Sequence, residues 1–330
     1  MVFLDSPFTG AAFNLAMEEY AFSCLSRGEE YFMLWQNDSS VILGKHQNAQ
    51  EEVNLPYAKA QGIPVVRRLS GGGAVYHDLG NLNFTWITDG ESPHLPMERF
   101  TQPLLTACRS FGINARIDGR NDVTVDGRKF SGGAGYQQDG RTMHHGTVLI
   151  SSDLKVMARV LTPSMDKIRS DSARSVPSRV INLADRCSGL TVQAFAGELR
   201  RQVLGPGTPR HYRWTPEDLR RIEELCQTRY DTWDWNFGHF PEYQVERRRR
   251  VEDCGTVQVG MQVVGGKIAD ISITGDFFGA RPVGELERSL RGRPLRYDAL
   301  LPLLTQLEVG RYLFGMPPEI FASLLCGETR

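Results

Sequence analysis

The chain has almost no net charge: 38 lysines and arginines face 39 aspartates and glutamates over 330 residues, a formal −1. A dedicated nucleic-acid surface needs a clustered positive excess, so that class is disfavoured. No run is long and apolar enough to span a membrane. The opening MVFLDSPFTG has no basic stretch leading into an apolar core, so no secretory signal is read there. Cysteine is sparse: Cys24, Cys108, Cys187, Cys226, Cys254 and Cys326 are scattered, with no CxxC pair. That spacing argues against both a disulfide framework and a zinc site, and leaves reduced thiols in a cytoplasmic protein as the reading. His144 and His145 are adjacent on a strand-like run, which sends their side chains to opposite faces. Neither a GxGxxG nor a GxxxxGKS/T loop occurs, which disfavours Rossmann and P-loop architectures.

What is present is an ordinary soluble composition, 41% hydrophobic and 23% charged, and a length that favours two domains over one. The most informative segment is RRLSGGGAVYHDLGNLNF at 67–84. Three consecutive glycines carry no Cβ, so successive backbone N–H groups can converge on an anion. Arg67 and Arg68 add planar, fixed positive charge, and the β-prone flanks place the glycines in a strand-to-strand loop. A second segment, GRNDVTVDGRKFSGGAGYQQDGRTMHHGT at 119–147, reads as a meander with turns at Asp126-Gly127 and Asp139-Gly140. It carries Lys129 just ahead of Gly132-Gly133, where backbone approaches something closely.

Elsewhere apolar spacing predicts helices over 14–27, from about 54 to Gly62, near 99–111, around 154–161 and 192–203, and from Pro216 to Arg229 behind an N-cap at Thr215. Short strands are expected at 31–35 and 41–43. A fresh unit begins near Val245 with a hairpin turning at Gly265-Gly266. RRRR at 247–250 reads as a solvated strand edge.

These blocks resemble the lipoate–protein ligase A family. The likeness rests on FNLAMEEY at 13–20, VILGKHQNAQEEVN at 41–54, the two glycine-bearing segments, HHGTVLI to 150 and SVPSRVINL at 175–183. WDWNFGHFPEY at 233–243 and GKIADISITGDFFG at 266–279 resemble the accessory C-terminal domain of full-length ligases. The resemblance implies an α+β fold: a mixed-sheet catalytic domain of the biotin/lipoate ligase type over 1–244, and a small α+β accessory domain over 245–330 with a hinge near 243–252. It implies an ATP- and Mg²⁺-dependent enzyme that converts lipoate to lipoyl-AMP and transfers the lipoyl group to an acceptor lysine.

By match to the family motifs, Lys129 is the catalytic cation. ATP falls to Arg68, Gly73, Ala74, Val75, Tyr76 and Lys129, and lipoate to Lys129, Arg68, Gly72, His145 and Gly146. Asn121, Asp122 and Ser70 are further candidates, with Asp122 the candidate Mg²⁺ ligand; His145 is read equally well as a satisfied core histidine. Val41, Leu43, Gly44, Val75 and Val148 are candidates for an apolar slot, while His77 and Asp78 are read as structural. Asn48 and Arg179 match family positions without a derivable role. The implied partners are lipoyl domains of 2-oxoacid dehydrogenase complexes or the glycine cleavage H protein, met by a cytoplasmic monomer with no nucleic acid or membrane involved.

Two other readings stay open. Octanoyl- or lipoyl-transferases of the same fold form a thioester on a cysteine, yet 151–175 contains none. A non-catalytic lipoate- or nucleotide-binding protein is the other, and an intact lysine and glycine loop weigh against it. Biotin–protein ligases share the chemistry but match the glycine block less closely.

Overall fold

A computed structural model describes residues 1–90, 97–119, 121–161, 180–206, 209–237 and 245–327. Arg179 and residues 243 and 244 of the expected hinge lie outside these. Cα proximity separates two compact units. The first comprises Met1–Leu43, Ala49–Leu69 and Ala74–Asn236; the second comprises Gly44–Asn48, Ser70–Gly73 and the chain from Phe237 onward.

The first unit is built on an eight-stranded mixed sheet. In chain order its strands are β1 (Val2–Asp5), β2 (Tyr31–Trp35), β6 (Asn81–Asp89), β7 (Arg116–Asp118), β8 (Asp122–Val125), β9 (Arg128–Gln138), β10 (Arg141–Leu149) and β11 (Arg210–His211), arranged β11-β1-β2-β6-β10-β9-β8-β7. β1 is parallel to both neighbours, and the remaining pairs are antiparallel. A smaller sheet sets β3 (Ser40–Leu43) between β4 (Val65–Arg67) and β5 (Val75–His77). Both meander turns form where Asp-Gly pairs supply two positive φ angles, 51° and 69° at Asp126-Gly127 and 51° and 71° at Asp139-Gly140. That is the hand of turn that matches strand twist.

Period-2 alternation divides the large sheet into two buried faces. Phe32, Leu34, Phe84, Trp86 and Val148 pack in one core with Leu104 and Cys108 of α4 (Met97–Ser110) and Phe195 and Leu199 of α6 (Val192–Leu204). Tyr31, Met33, Trp35, Ile87 and Met143 pack in the other, with Leu15, Ala16 and Met17 of α1 (Ala11–Cys24) and Ile222 of α7 (Pro216–Leu225). α1 begins and ends three residues earlier than the sequence pattern suggests. α7 starts behind the expected cap: Thr215 accepts from Asp218 N while Asp218 accepts from Thr215 N. It passes into one π-helical turn, Cys226–Tyr230, instead of continuing regularly to Arg229.

The second unit pairs β12 (Val245–Val251), β13 (Gly255–Val264) and β14 (Lys267–Gly275) as an antiparallel sheet, with its own core reaching α9 (Val283–Leu290), α10 (Tyr297–Gln306) and α11 (Pro318–Cys326). β12 is an edge strand, as the arginine run suggested. Arg247 is committed to the α11 end, donating to Leu325 O. Within this unit Gly71 is held tight: a Cβ there would lie 2.2 Å from Phe277 O. Gly72, at φ +89°, donates its N–H to the same oxygen at 3.3 Å.

Candidate active site

Lys129 owes its position to a β-bulge. Asp122 registers with Gly132 and Val123 with Ser131, but Thr124 registers with Lys129, leaving Phe130 as an extra residue on β9. Strict alternation from Gly132 would put Phe130 on the Asp122 face and Lys129 on the other. The bulge reverses this. Phe130 becomes fully buried in the core with α4, and Lys129 Nζ meets Asp122 Oδ1 at 2.6 Å. Both side chains keep over a third of their surface exposed, so the ion pair is open to a ligand. Gly132 provides the room, since a Cβ would sit 2.6 Å from Lys129 Nζ. Asn121 clamps the next glycine: its O accepts from Gly133 N at 2.9 Å and its Nδ2 donates to Gly133 O at 2.7 Å. Its side chain is thereby spent on backbone.

The two arginines part company. Arg67 does not offer its guanidinium to an anion, contrary to the expectation for both: Nε donates to Trp235 O at 3.0 Å and Nη2 to Asn236 O at 2.7 Å. Trp235 Nε1 and Asn236 Oδ1 close the clasp on the Arg67 backbone. Arg68, only 6% exposed, donates Nη1 to Ile42 O at 3.3 Å, and burial pulls its pKa down to about 10 against the opposing attraction of Glu18. Ala74 leads into β5, where Val75 and Tyr76 pair with Ile42 and Val41. The Tyr76 hydroxyl is within 3.1 Å of Ser39 Oγ. Ser70, Gly72 and Gly73 belong to the second unit, where one of the loop amides expected to face an anion is used on Phe277.

His145 is buried and reaches both oxygens of Glu18, at 2.9 and 3.0 Å from Nδ1. Thr85 Oγ1 donates to the same carboxylate at 2.5 Å and accepts from Trp35 Nε1 at 2.9 Å. Glu18, Thr85 and Trp35 were not singled out from the sequence. The available signal was Asn14 and Glu18, two polar residues four apart on the buried stripe of α1. Gly146 and Val148 lie on the opposite face from His145. Gly146 makes room for the Phe84 ring, whose Cζ would be 2.5 Å from a Cβ, and Val148 is core, not slot. His144 stacks on Phe100 at 4.7 Å, and burial lowers its pKa to about 3. Cys108 is sealed in the α4 core with its thiol pushed up to about 12, unsuited to nucleophilic work. His77, read from the sequence as structural, is a buried member of β5.

The chain matches the family described as the lipoyl protein ligase A/B catalytic domain over residues 10–203, and the bacterial lipoate protein ligase C-terminus over residues 240–325. It is 37% identical over 332 residues to lipoate-protein ligase LplJ of Bacillus subtilis (strain 168), covering 98% of this chain and 100% of that protein. It is 41% identical over 310 residues to lipoate–protein ligase 1 of Staphylococcus aureus (strain Mu50 / ATCC 700699), covering 93% and 94%. Among solved structures it is similar to a crystal structure of lipoate-protein ligase A bound with ATP, with a TM-score of 0.61 and 27% identity over 72% of this chain and 98% of that one.

Proposed function

The chain belongs to the lipoate–protein ligase A family and is a lipoate–protein ligase, and on that premise we propose how its residues carry the reaction. A carboxylate oxygen of lipoate attacks the α-phosphorus of ATP. The bond from that phosphorus to the bridging oxygen breaks, pyrophosphate leaves, and lipoyl-AMP remains. The ε-amine of an acceptor lysine then attacks the acyl carbonyl, loses a proton, and AMP departs with the phosphate oxygen.

Both steps crowd anionic oxygens together, so a fixed cation stabilises them most where charge develops. The observation that carries this reading is the Lys129 ammonium, aimed by the bulge and Asp122 over the glycine gap at Gly132. A compact ammonium fits between a carboxylate and a phosphate, where a planar guanidinium does not. Arg68 and the backbone of Ala74, Val75 and Tyr76 hold the phosphates. Ser70, Gly72 and Gly73 keep the nucleotide and lipoate roles that the family motif implies. His145 lines the lipoate pocket beside Glu18, and Gly146 contributes through backbone alone.

Mg²⁺ accompanies ATP in this reading. Asp122 would hold the ion through the carboxylate oxygen not facing Lys129, since one or two protein carboxylates suffice for Mg²⁺. No group of three or more His, Cys, Asp or Glu among the described residues forms a metal site unaided. When bound, the ion neutralises phosphate charge. The acceptors are lipoyl domains of 2-oxoacid dehydrogenase complexes or the glycine cleavage H protein, modified in the cytoplasm by a monomer; no described helix is long and apolar enough to cross a membrane. We assign catalysis to 1–244 and the accessory role to 245–330.

Mass spectrometry of an acceptor lipoyl domain, after incubation with ATP, Mg²⁺ and lipoate, tests the reading. One lipoyl amide on the acceptor lysine is expected, together with one pyrophosphate released. Transfer without ATP, or lipoate binding without pyrophosphate, overturns it.

A further inference from the structure

Of the buried side-chain donors in the first unit that find no partner among the described residues, two flank Trp35. Asn83 is 1% exposed and is the register partner of Trp35 across β6 and β2. Its Oδ1 accepts from Asn81 Nδ2 at 2.8 Å, and its Nδ2 is the atom without a partner. His77 is 3% exposed, its ring centre 6.0 Å from the Trp35 ring. A chain of amides fixes its tautomer. Asn14 Nδ2 lies 2.9 Å from Phe8 O, 2.8 Å from Gln36 O and 2.9 Å from Asn37 Oδ1, and Asn14 Oδ1 accepts from Ser6 Oγ at 2.6 Å. Asn37 therefore turns its Nδ2 toward His77 Nδ1, at 3.1 Å. An amide nitrogen only donates, so Nδ1 accepts and the proton of the neutral ring sits on Nε2. Burial, with Arg68 and His145 nearby, keeps that ring neutral by lowering its pKa to about 3. Nε2–H is the second unpaired donor.

Sheet geometry gives the distance of Asn83 and Trp35 from the Lys129 end of the site. Gly132, Thr147, Asn83 and Trp35 are successive register partners on β9, β10, β6 and β2, and share one face. At about 4.8 Å per strand the row spans roughly 14 Å. An extended eight-carbon acid with its carboxyl at Lys129 is on the order of 10 Å long, from carbon–carbon bonds of about 1.5 Å. Its far end falls beside Asn83 and Trp35. We propose that Asn83 and His77 read that far end, selecting an acid with acceptor atoms there, such as the two sulfurs of a dithiolane ring, over a hydrocarbon end of the same shape. This rests on the ligase reading above. A hydrocarbon end excludes water from both N–H groups and returns nothing, whereas sulfur, though a weak acceptor, returns part of each bond. A site with buried donors rejects the analogue that leaves them unpaired.

Binding and pyrophosphate release by the full-length protein with ATP are to be measured for lipoate and for 5-cyclopentylpentanoate, its all-carbon ring analogue. A preference of about tenfold for lipoate is expected, since weak acceptors recover only part of an unpaired-donor penalty. Asn83→Leu and His77→Phe are each expected to cut that ratio to about threefold, the ratio being the readout and not either rate alone. Equal affinity of the unaltered protein for the two acids overturns the proposal, and so does a ratio unchanged in both variants. Where a variant does not fold, the comparison on the unaltered protein decides. Absence of pyrophosphate with either acid overturns the ligase reading instead.

Discussion

Gly132→Ala isolates the placement of the Lys129 ammonium from its presence. The added Cβ would lie 2.6 Å from Lys129 Nζ and 2.8 Å from Cε, while Asp122 Oδ1, at 3.6 Å, is in ordinary contact. Carbon needs about 3.5 Å from a neighbouring heavy atom, so the ammonium retreats by roughly 1 Å. A displacement of that size at a reacting centre costs about 10²-fold in rate, or about 2.7 kcal/mol of barrier. Stability changes little. The atom that moves is the free end of a flexible side chain, the ion pair it loosens is half-exposed and worth about 1 kcal/mol at most, and alanine in a strand regains roughly 0.5 kcal/mol of backbone entropy. The assay is steady-state pyrophosphate release with lipoate and ATP, run beside a thermal melt. Activity within threefold of the unaltered protein would refute the argument that Gly132 exists to leave the lysine its place. Gly146→Ala puts its Cβ against the Phe84 ring in a packed core, so it is expected to lower the melting temperature.

Lys129→Ala is expected to reduce pyrophosphate release by 10² or more, the scale of removing one electrostatic contact to a transition state, with the melt nearly unchanged; near-normal release removes Lys129 from the mechanism. Glu18→Ala removes the carboxylate that bonds His145 and Thr85 and whose charge attracts the buried Arg68, and a loss of about 3–5 kcal/mol is expected in urea denaturation; a loss under 1 kcal/mol contradicts the network. His77 and His144 stay neutral when folded to about pH 3, against an ordinary value of 6.5. Below about 6.5 the unfolded chain takes up protons that the folded rings refuse. Stability therefore falls as pH drops from 6.5 toward 3, by about 1.4 kcal/mol per pH unit per ring, and does not respond to these rings above 7. Denaturation at pH 7, 6 and 5 checks the slope, which His144→Phe is expected to halve.

Much of the frame was legible because local rules coincide with the final structure. Asp126-Gly127 and Asp139-Gly140 announce turns with two positive φ angles, and they form. Thr215 announces a cap, and it closes reciprocally with Asp218. The residue types at the candidate site, a lysine before paired glycines and an arginine before three, were visible for the same reason: they are unusual within a few residues of sequence. Arg67 was misread because nothing near it in sequence foretells Trp235 and Asn236, whose carbonyls occupy its guanidinium.

The sequence by itself determined where strands turn, where helices are capped, and which charged side chains sit beside unobstructed backbone. Tertiary structure alone decided which way those side chains face. A single extra residue in the β8–β9 register reverses alternation and brings Lys129 to Asp122 while burying Phe130. Packing, likewise, assembles Glu18, Thr85, Trp35 and His145 from a helix and three strands. Propensity and turn chemistry act over a few residues, whereas register and burial are settled by partners far away in the chain, and the chemistry of this site depends on the second kind.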